Sequence, residues 1–558
     1  MKDRPWLRHY DKGVLPKLDY PAISVIDFLE KGAREHPLNP CTLFNGARIR
    51  YGEMNALTDR LAAGFASLGI KKGDRVGLFM PNTPQFVMAY FALLKIGAIV
   101  VATNPLYKAP EIVYQVNDAG AEIMVLMTNN YEKIKALQPQ TRIRQIVASN
   151  LKETLPPHLK MLFSLFREKK LGFRVELRDN DVWMQDLIND FSPEDRPRVD
   201  IGEDDIALLQ YSGGTTGEPK GVIATHRVLV ANTYQSVAWD PRVELDNEIV
   251  LMAIPLYHAY GMVIGMLYGL KIGASLVMVP DPRDIKNLLV TIQKYKPTIF
   301  PGVPAIYNAI NHHPAASKYD LSSIKVCISG SAPLLSETKE RFEALTGGVL
   351  TEGYGLSEAP VATHCNPLYG LNKTGSIGLP FPDVDCRIVE LEDGVTVLGP
   401  GEEGELAISG PQVMPGYYGH PSLTMDAVRD GWLYTGDIAK MDEDGYFYIV
   451  GRKKELIKVG GFQVWPREVE EVILKHPAVV DVGVAGVPDA MSGEVVKAWV
   501  VLQEGEALSL DELRAWCRES LAAYKRPAQM EIMNELPKTN VGKVLRRKLV
   551  ESHELTAS

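Results

Sequence analysis

Residues 211–221 read Tyr-Ser-Gly-Gly-Thr-Thr-Gly-Glu-Pro-Lys-Gly, and no other stretch limits this chain as much. Four glycines, three aliphatic hydroxyls and one lysine fall within eleven residues. Glycine lets backbone N–H groups turn toward a ligand and lets the chain approach it closely. Ser212, Thr215 and Thr216 add short donors and Lys220 a compact positive charge, a set that suits polyphosphate. The apolar run 206–211 reads as a strand entering the loop, and 221–225 as one leaving it. The spacing is not G-x-x-x-x-G-K-[ST], because Lys220 follows Pro219, and it is not G-x-G-x-x-G. On these residues alone a plain surface turn is the alternative. Such a turn has no need of the hydroxyls and the lysine together.

At 558 residues the chain can bury a large core and form more than one domain. Its 46% hydrophobic and 23% charged content is ordinary for a water-soluble globular protein. A net charge of −9 argues against broad nucleic-acid binding. Cys41, Cys327, Cys365, Cys386 and Cys517 are scattered without a C-x-x-C pair, which points to a reducing, cytoplasmic setting and away from zinc or a disulfide scaffold. The first residues are polar and lack the apolar core of a signal peptide. The longest apolar run, 259–270, falls short of the ~20 residues that span a bilayer. It reads as a buried helix followed by a buried strand over 272–280.

Helical spacing over 54–70, 84–96 and 109–119 alternates with strand runs at 75–80, 99–102 and 122–126. This alternation predicts a parallel α/β sheet. A second α/β series spans 250–355. From 375 to 450 short strands with Gly/Pro turns predict a small β-barrel, with a hairpin turn at Asp442-Glu443-Asp444-Gly445. After Arg452-Lys453-Lys454-Glu455 the texture changes to a compact α+β unit. It comprises a Pro-opened helix over 466–475, strands at 479–484 and 495–502, and a capping box at Ser509–Glu512 opening a helix through Tyr524. The expected architecture is an α/β N-terminal domain, 1–453, of two α/β subdomains plus the barrel, and a small mobile α+β domain, 454–558. The segment 156–173 mixes Leu, Phe and Met with Lys and Arg. It reads either as a surface helix packed on the large domain, the favoured reading, or as an amphipathic helix at a membrane interface.

Four further segments carry chemistry. Gly353-Tyr354-Gly355-Leu356-Ser357-Glu358 sets an aromatic, a hydroxyl and a carboxylate between glycines, suited to a purine, a phosphate and Mg²⁺. Tyr434-Thr435-Gly436-Asp437 ends a strand with a carboxylate that suits a ribose diol. Residues 451–458 form a basic cluster, and Pro537-Lys538-Thr539-Asn540-Val541-Gly542-Lys543 puts a lysine after a glycine. Each alone has a bland reading: a tight turn, a strand end, solvated charge, a loop. In this order they resemble the adenylate-forming superfamily of acyl-CoA synthetases, luciferases and nonribosomal adenylation domains, over nearly the whole chain. Pro5-Trp6-Leu7 with Tyr10, Met80-Pro81-Asn82, Asn104-Pro105-Leu106-Tyr107 and Pro255-Leu256-Tyr257-His258 are most similar to the long-chain fatty acyl-CoA synthetases.

The resemblance implies a set of roles. Ser212, Gly213, Gly214, Thr215, Thr216, Gly217 and Lys220 would hold the β- and γ-phosphates of ATP. Gly330, Ser331 and Ala332, with Gly353, Tyr354 and Gly355, would enclose adenine. Ser357 would bond the α-phosphate, Thr215 and Glu358 would hold Mg²⁺, and Asp437 with Arg452 would fix the ribose. Lys543 would contact the carboxylate and α-phosphate, and Lys454 would be the hinge. His258 would border the acyl and pantetheine passage, and Lys458 to Phe462, with Gly461, would face the thioester-forming site for coenzyme A. Ser357 stands where threonine is common, Glu218 where an apolar residue is usual, and Val459-Gly460 where Tyr-Lys is usual. The expected reaction joins a medium- or long-chain fatty acid to coenzyme A through an acyl-adenylate. The alternatives are loading of a carrier protein, which the end at Ser558 without a carrier domain disfavours, an aryl or short-chain acid ligase, and an inactive nucleotide- or lipid-binding relative. Small molecules are the expected partners. Peripheral membrane contact and a homodimer stay open.

Overall fold

The computed structural model describes residues 4–212, 219–459, 462–489, 492–503, 505–539 and 542–557. Gly213, Gly214, Thr215, Thr216, Gly217, Glu218 and Gly461, and the side chain of Ser212, lie outside the described residues.

The apolar β-branched runs assemble into a seven-stranded sheet ordered Val182–Trp183, Gln145–Ser149, Ile123–Met127, Arg75–Phe79, Ile99–Ala102, Ile206–Ser212, Lys220–Thr225. All neighbours are parallel except the last pair, which is antiparallel with Tyr211 opposite Gly221 and Ser212 opposite Lys220. A parallel sheet is covered on both faces. Ile123–Met127 and Ile99–Ala102 are accordingly buried at every position. The helix Pro84–Lys95, opened by its proline, is buried along its whole length between this sheet and the next.

The second α/β series forms a nine-stranded sheet whose centre is parallel from Pro40–Phe44 to Val349–Gly355. Ala362–Cys365 and Leu379–Pro380 add an antiparallel edge. The predicted buried helix over 259–270 is a π-helix, Gly261–Leu267, continued by Tyr268–Lys271 and then the strand Ser275–Met278. Gly261 sits there because a Cβ would come within 2.3 Å of the Pro255 carbonyl oxygen.

The segment expected as a small barrel is a five-stranded antiparallel sheet built on the long strand Trp432–Met441. Its turn at Asp442–Gly445 closes with the Gly445 N–H donating to the Asp442 carbonyl at 3.0 Å. Gly445 has φ +85°, and a Cβ there would meet the Trp6 backbone nitrogen at 2.6 Å. The N-terminal Trp6 is thereby packed against the turn.

A fourth sheet, holding Ile457–Val459, Phe462–Val464, Val479–Asp489, Gly493–Leu502 and Gln529–Met533, belongs to the small C-terminal domain. The helix opened by the Ser509–Glu512 capping box ends at Ser520, four residues before the predicted end. Leu521 turns extended and is buried, which breaks the helix. No helix among the described residues is long and apolar enough to cross a membrane.

Candidate active site

Strands Ile299–Gly302, Val326–Ser329 and Val349–Gly355 pair in parallel register, with Gly302 beside Ser329 and Ser329 beside Glu352. Gly330–Ser331 and Ser357–Glu358, which continue the chain beyond the last two strands, therefore emerge at one edge, where open α/β sheets place their ligands. A cavity of about 650 Å³ begins there, between this edge and the C-terminal domain. Gly330, Ser331, Tyr354, Ser357, Glu358, Arg452 and Lys543 line its polar part. Gly330 and Gly355 allow the backbone to close in. A Cβ at Gly330 would sit 3.2 Å from the Tyr260 ring, and one at Gly355 would overlap the Val361 carbonyl at 1.5 Å. Ser331 has φ +72°, an uncommon conformation for a residue with a Cβ.

Asp437 and Arg452 are cross-strand partners. Arg452 Nε lies 2.6 Å from Asp437 Oδ1, and the Tyr354 hydroxyl donates to Oδ2 at 2.5 Å. Asp437 is only 2% exposed, so the guanidinium balances a buried charge, and Asp437 in turn raises the Arg452 pKa. The pair fixes a carboxylate and an aromatic ring side by side.

Glu358 faces the hairpin of Ile206–Ser212 and Lys220–Thr225 through Tyr417, which the sequence does not single out. Tyr417 donates to Glu358 Oε1 at 3.0 Å, and Lys220 Nζ stands 5.3 Å over the Tyr417 ring. The backbone around Tyr417 is laced to the hairpin, with Tyr418 N–H donating to the Gly221 carbonyl at 2.8 Å and Ile223 N–H to the Gly416 carbonyl at 3.0 Å. No described residue bonds Glu358 Oε2. A hard carboxylate oxygen left open suits Mg²⁺. Among the described residues no group of three His, Cys, Asp or Glu side chains could hold a metal ion by itself.

Lys543 reaches this cavity from the C-terminal domain. Its loop closes on itself, with Lys543 N–H donating to Thr539 Oγ1 at 3.1 Å and Gly542 N–H to the Thr539 carbonyl at 2.9 Å. A Cβ on Gly542 would rest 3.7 Å from Ala305 of the large domain. Burial first, and then the neighbouring Arg452 charge, pull the Lys543 ammonium from 10.5 down to about 8. The lysine is therefore charged below pH 8 and loses its charge above, so kcat/KM of any reaction that needs this charge should fall about tenfold per pH unit beyond 8. Lys543→Arg, which stays charged, should flatten that limb. A wild-type activity profile level to pH 9.5 would contradict a need for that charge.

Residues 29–418 match the family described as AMP-binding enzyme, and 468–543 match AMP-binding enzyme C-terminal domain. The chain belongs to the AMP-binding enzyme family. A long-chain-fatty-acid–CoA ligase of Bacillus subtilis (strain 168) is 42% identical over 552 residues, covering 98% of each chain. The anthranilate CoA ligase AuaEII, solved with anthranoyl-AMP, superposes with a TM-score of 0.84 at 26% identity, covering 97% of this chain and 99% of that one. ATP-bound MatB from Rhodopseudomonas palustris superposes with a TM-score of 0.82 at 27% identity, covering 95% and 99%.

Seen as an AMP-binding enzyme, the fold brings together Gly330, Ser331, Tyr354, Ser357, Glu358, Arg452, Lys543 and His258 around one cavity, with Asp437 behind Tyr354 and Arg452. His258 Nδ1 accepts the Tyr260 N–H at 3.2 Å, and burial lowers its pKa to about 4. The ring is neutral at pH 7, with its proton on Nε2. Its position is set by Asn82 of the Met80-Pro81-Asn82 segment, which is buried. Asn82 Nδ2 donates to the carbonyls of Met252 and Ile254 at 2.7 and 2.8 Å, and Oδ1 accepts the Leu256 N–H at 2.7 Å. Lys454 and Lys458 do not join this constellation. Both are exposed, Lys454 on the single 3-10 turn Lys453–Glu455 and Lys458 on the strand Ile457–Val459. The five cysteines are free, and those at 41, 327, 365 and 517 are buried.

Proposed function

We propose that this chain is an ATP-dependent fatty acid–coenzyme A ligase, which forms an acyl-adenylate and releases pyrophosphate and then AMP. The observation that carries the proposal is one cavity in which Lys543, Tyr354 and Arg452 meet a long apolar extension lined by Ile264, Val326, Leu368 and Phe381. A nucleotide cradle that opens into a hydrocarbon-lined channel fits an acid with an alkyl tail, and a charged lysine stands at their junction.

The carboxylate attacks the α-phosphorus of ATP, the bond to the β-phosphate breaks, and pyrophosphate leaves with the electron pair. All these groups are anionic. Lys220 and the 212–217 loop receive the leaving phosphates, Ser357 bonds the α-phosphate, and Lys543 offsets charge on the α-phosphate and the attacking carboxylate. Glu358 with Thr215 would hold Mg²⁺, which would offset phosphate charge. Tyr354 and the 330–332 turn enclose adenine, and Asp437 with Arg452 fix the ribose. Coenzyme A thiolate then attacks the acyl carbonyl and the C–O bond to AMP breaks. This second step needs different surroundings for the same anhydride. A hinge at Lys454, dividing 1–453 from 454–558, swings Lys543 out and brings Lys458 and the segment to Phe462 toward the His258 passage. Incubation with ATP, Mg²⁺, dodecanoate and coenzyme A should yield AMP, pyrophosphate and thioester in equal amounts. ADP in place of AMP would overturn the proposal. AMP without thioester would favour an acyl-carrier partner instead.

Peripheral membrane contact belongs to the same reading. The helix Pro157–Phe166 turns only Phe163 inward, against Phe173, and leaves Leu165 68% and Phe166 71% exposed. Arg167, Lys169, Lys170 and Arg174 stand beside them in the sequence, and Lys169 and Lys170 are exposed. An apolar face rimmed by cations suits an anionic bilayer, where fatty acids partition. Leu165→Glu with Phe166→Glu should cut sedimentation with phosphatidylglycerol vesicles about tenfold, the equivalent of ~1.4 kcal/mol, and leave turnover of soluble octanoate unchanged. Unaltered sedimentation would contradict the contact.

A further inference from the structure

The acyl extension of the cavity can be measured with two rulers. Side chains alternate along a strand. Ile299 and Pro301, and Val326, Ile328 and Gly330, therefore share one face of the sheet, and all of them line the cavity. Val326 precedes Gly330 by four residues, about 13 Å along the strand. On the opposite wall Tyr260, Ile264 and Tyr268 recur every four residues and also line the cavity. Tyr260 packs on Gly330 at the nucleotide end. Tyr268 comes eight residues later, at the deep end of the π-helix Gly261–Leu267. Both walls run from Gly330 and Tyr260 toward Tyr268 and the start of the Val326–Ser329 strand, which mark the far end.

That end is not hydrocarbon. Tyr268 is only 6% exposed, and its hydroxyl makes no hydrogen bond with any described residue. Asp240 comes directly after the last residue of the helix His226–Trp239, lines the same end and is equally buried. Its Oδ1 accepts the Tyr369 hydroxyl at 2.9 Å and the Arg242 N–H at 3.0 Å, and Oδ2 has no described donor. A hydroxyl and a carboxyl oxygen that no described residue bonds would lose their hydration under an alkyl terminus and gain no hydrogen bond in return.

Resting on the ligase reading, we infer that Tyr268 and Asp240 form a polar terminus to the acyl channel that selects chains ending in a hydrogen-bonding group, the ω-hydroxy fatty acids. A terminal hydroxyl of matching length donates to Asp240 Oδ2 and accepts from Tyr268. A methyl terminus of the same length leaves both unsatisfied. Shorter chains stop before the contact and feel no difference. This is the general asymmetry by which a site built for a hydroxyl rejects the analogue that lacks it.

The test is a panel of straight-chain acids from hexanoate to hexadecanoate, each with and without an ω-hydroxyl, assayed by pyrophosphate release in wild type, Tyr268→Phe and Asp240→Asn. Wild type should favour the ω-hydroxy acid by about tenfold in kcat/KM at one length and treat short pairs alike. Tyr268→Phe, which removes only an unpartnered hydroxyl, should keep its melting temperature and its activity on short acids. It should lose the preference and gain on the methyl-ended acid of that length. Asp240→Asn should weaken the preference in the same length window. A wild type with no such length, or a Tyr268→Phe enzyme that retains the preference, would overturn the inference while plain acids still released pyrophosphate. No pyrophosphate from any acid would overturn the ligase reading, and this inference with it.

Discussion

Lys543→Ala is expected to lose acyl-adenylate formation by about a thousandfold or more, while thioester formation from supplied acyl-adenylate stays within about twofold of wild type. The expectation rests on where the ammonium stands. It shares a cavity with Tyr354, Ser357 and Arg452, and burial has already drawn its pKa down to about 8. A half-buried cation on the wall of this cavity would act where negative charge gathers during attack on the α-phosphate. Once the anhydride exists that charge has been redistributed, and the lysine is no longer required. The magnitude matches what single charge-stabilising groups contribute in water-poor sites, ~3–4 kcal/mol. Equal loss of both half-reactions would refute the role. Single-turnover pyrophosphate release and thioester formation from synthetic acyl-adenylate separate the two.

The reciprocal expectation belongs to Lys454→Pro. The residue lies in the short 3-10 turn Lys453–Glu455 between the strand Phe447–Arg452 and the first strand of the small domain. Proline holds φ near −65°, which lies within the range of such a turn, so the present arrangement should be tolerated. What proline removes is the freedom to change that dihedral. Adenylate formation should remain near wild type, and conversion of the adenylate to thioester should fall about a hundredfold or more, as expected when a hinge that exchanges two arrangements is locked. Normal thioester formation would count against the hinge. The two variants together should split one reaction into two separately removable halves.

Much of the framework was legible because it is local. Proline at the first turn announced the helices at 84 and 466, and the Ser509–Glu512 box announced another. Continuous apolar runs marked strands covered on both faces. Less was legible where the cause is tertiary. The helix after Pro255 is apolar all round, so no periodicity distinguishes its π-turns from an α-helix. The sequence resemblance names Glu358, yet Tyr417, which ties Glu358 to Lys220, lies fifty-nine residues away and is placed by backbone bonds from 416–418 to the strand Lys220–Thr225. The sequence marks Asn82 only as part of a motif, and its three bonds to the backbone before His258 show what it braces. Tyr268 falls in the apolar run 259–270 and Asp240 in a charged stretch, and nothing in the sequence sets them side by side. Their depth comes only from the register of a helix against a sheet.

The proposed reaction turns on a single bond-making event, in which a carboxylate oxygen of the substrate attacks the α-phosphorus of ATP. Dodecanoate labelled with ¹⁸O in both carboxyl oxygens tests this directly in the presence of ATP, Mg²⁺ and coenzyme A. One labelled oxygen should appear in AMP and the other in the thioester carbonyl, with pyrophosphate unlabelled. Label in inorganic phosphate, or AMP carrying none, would contradict it.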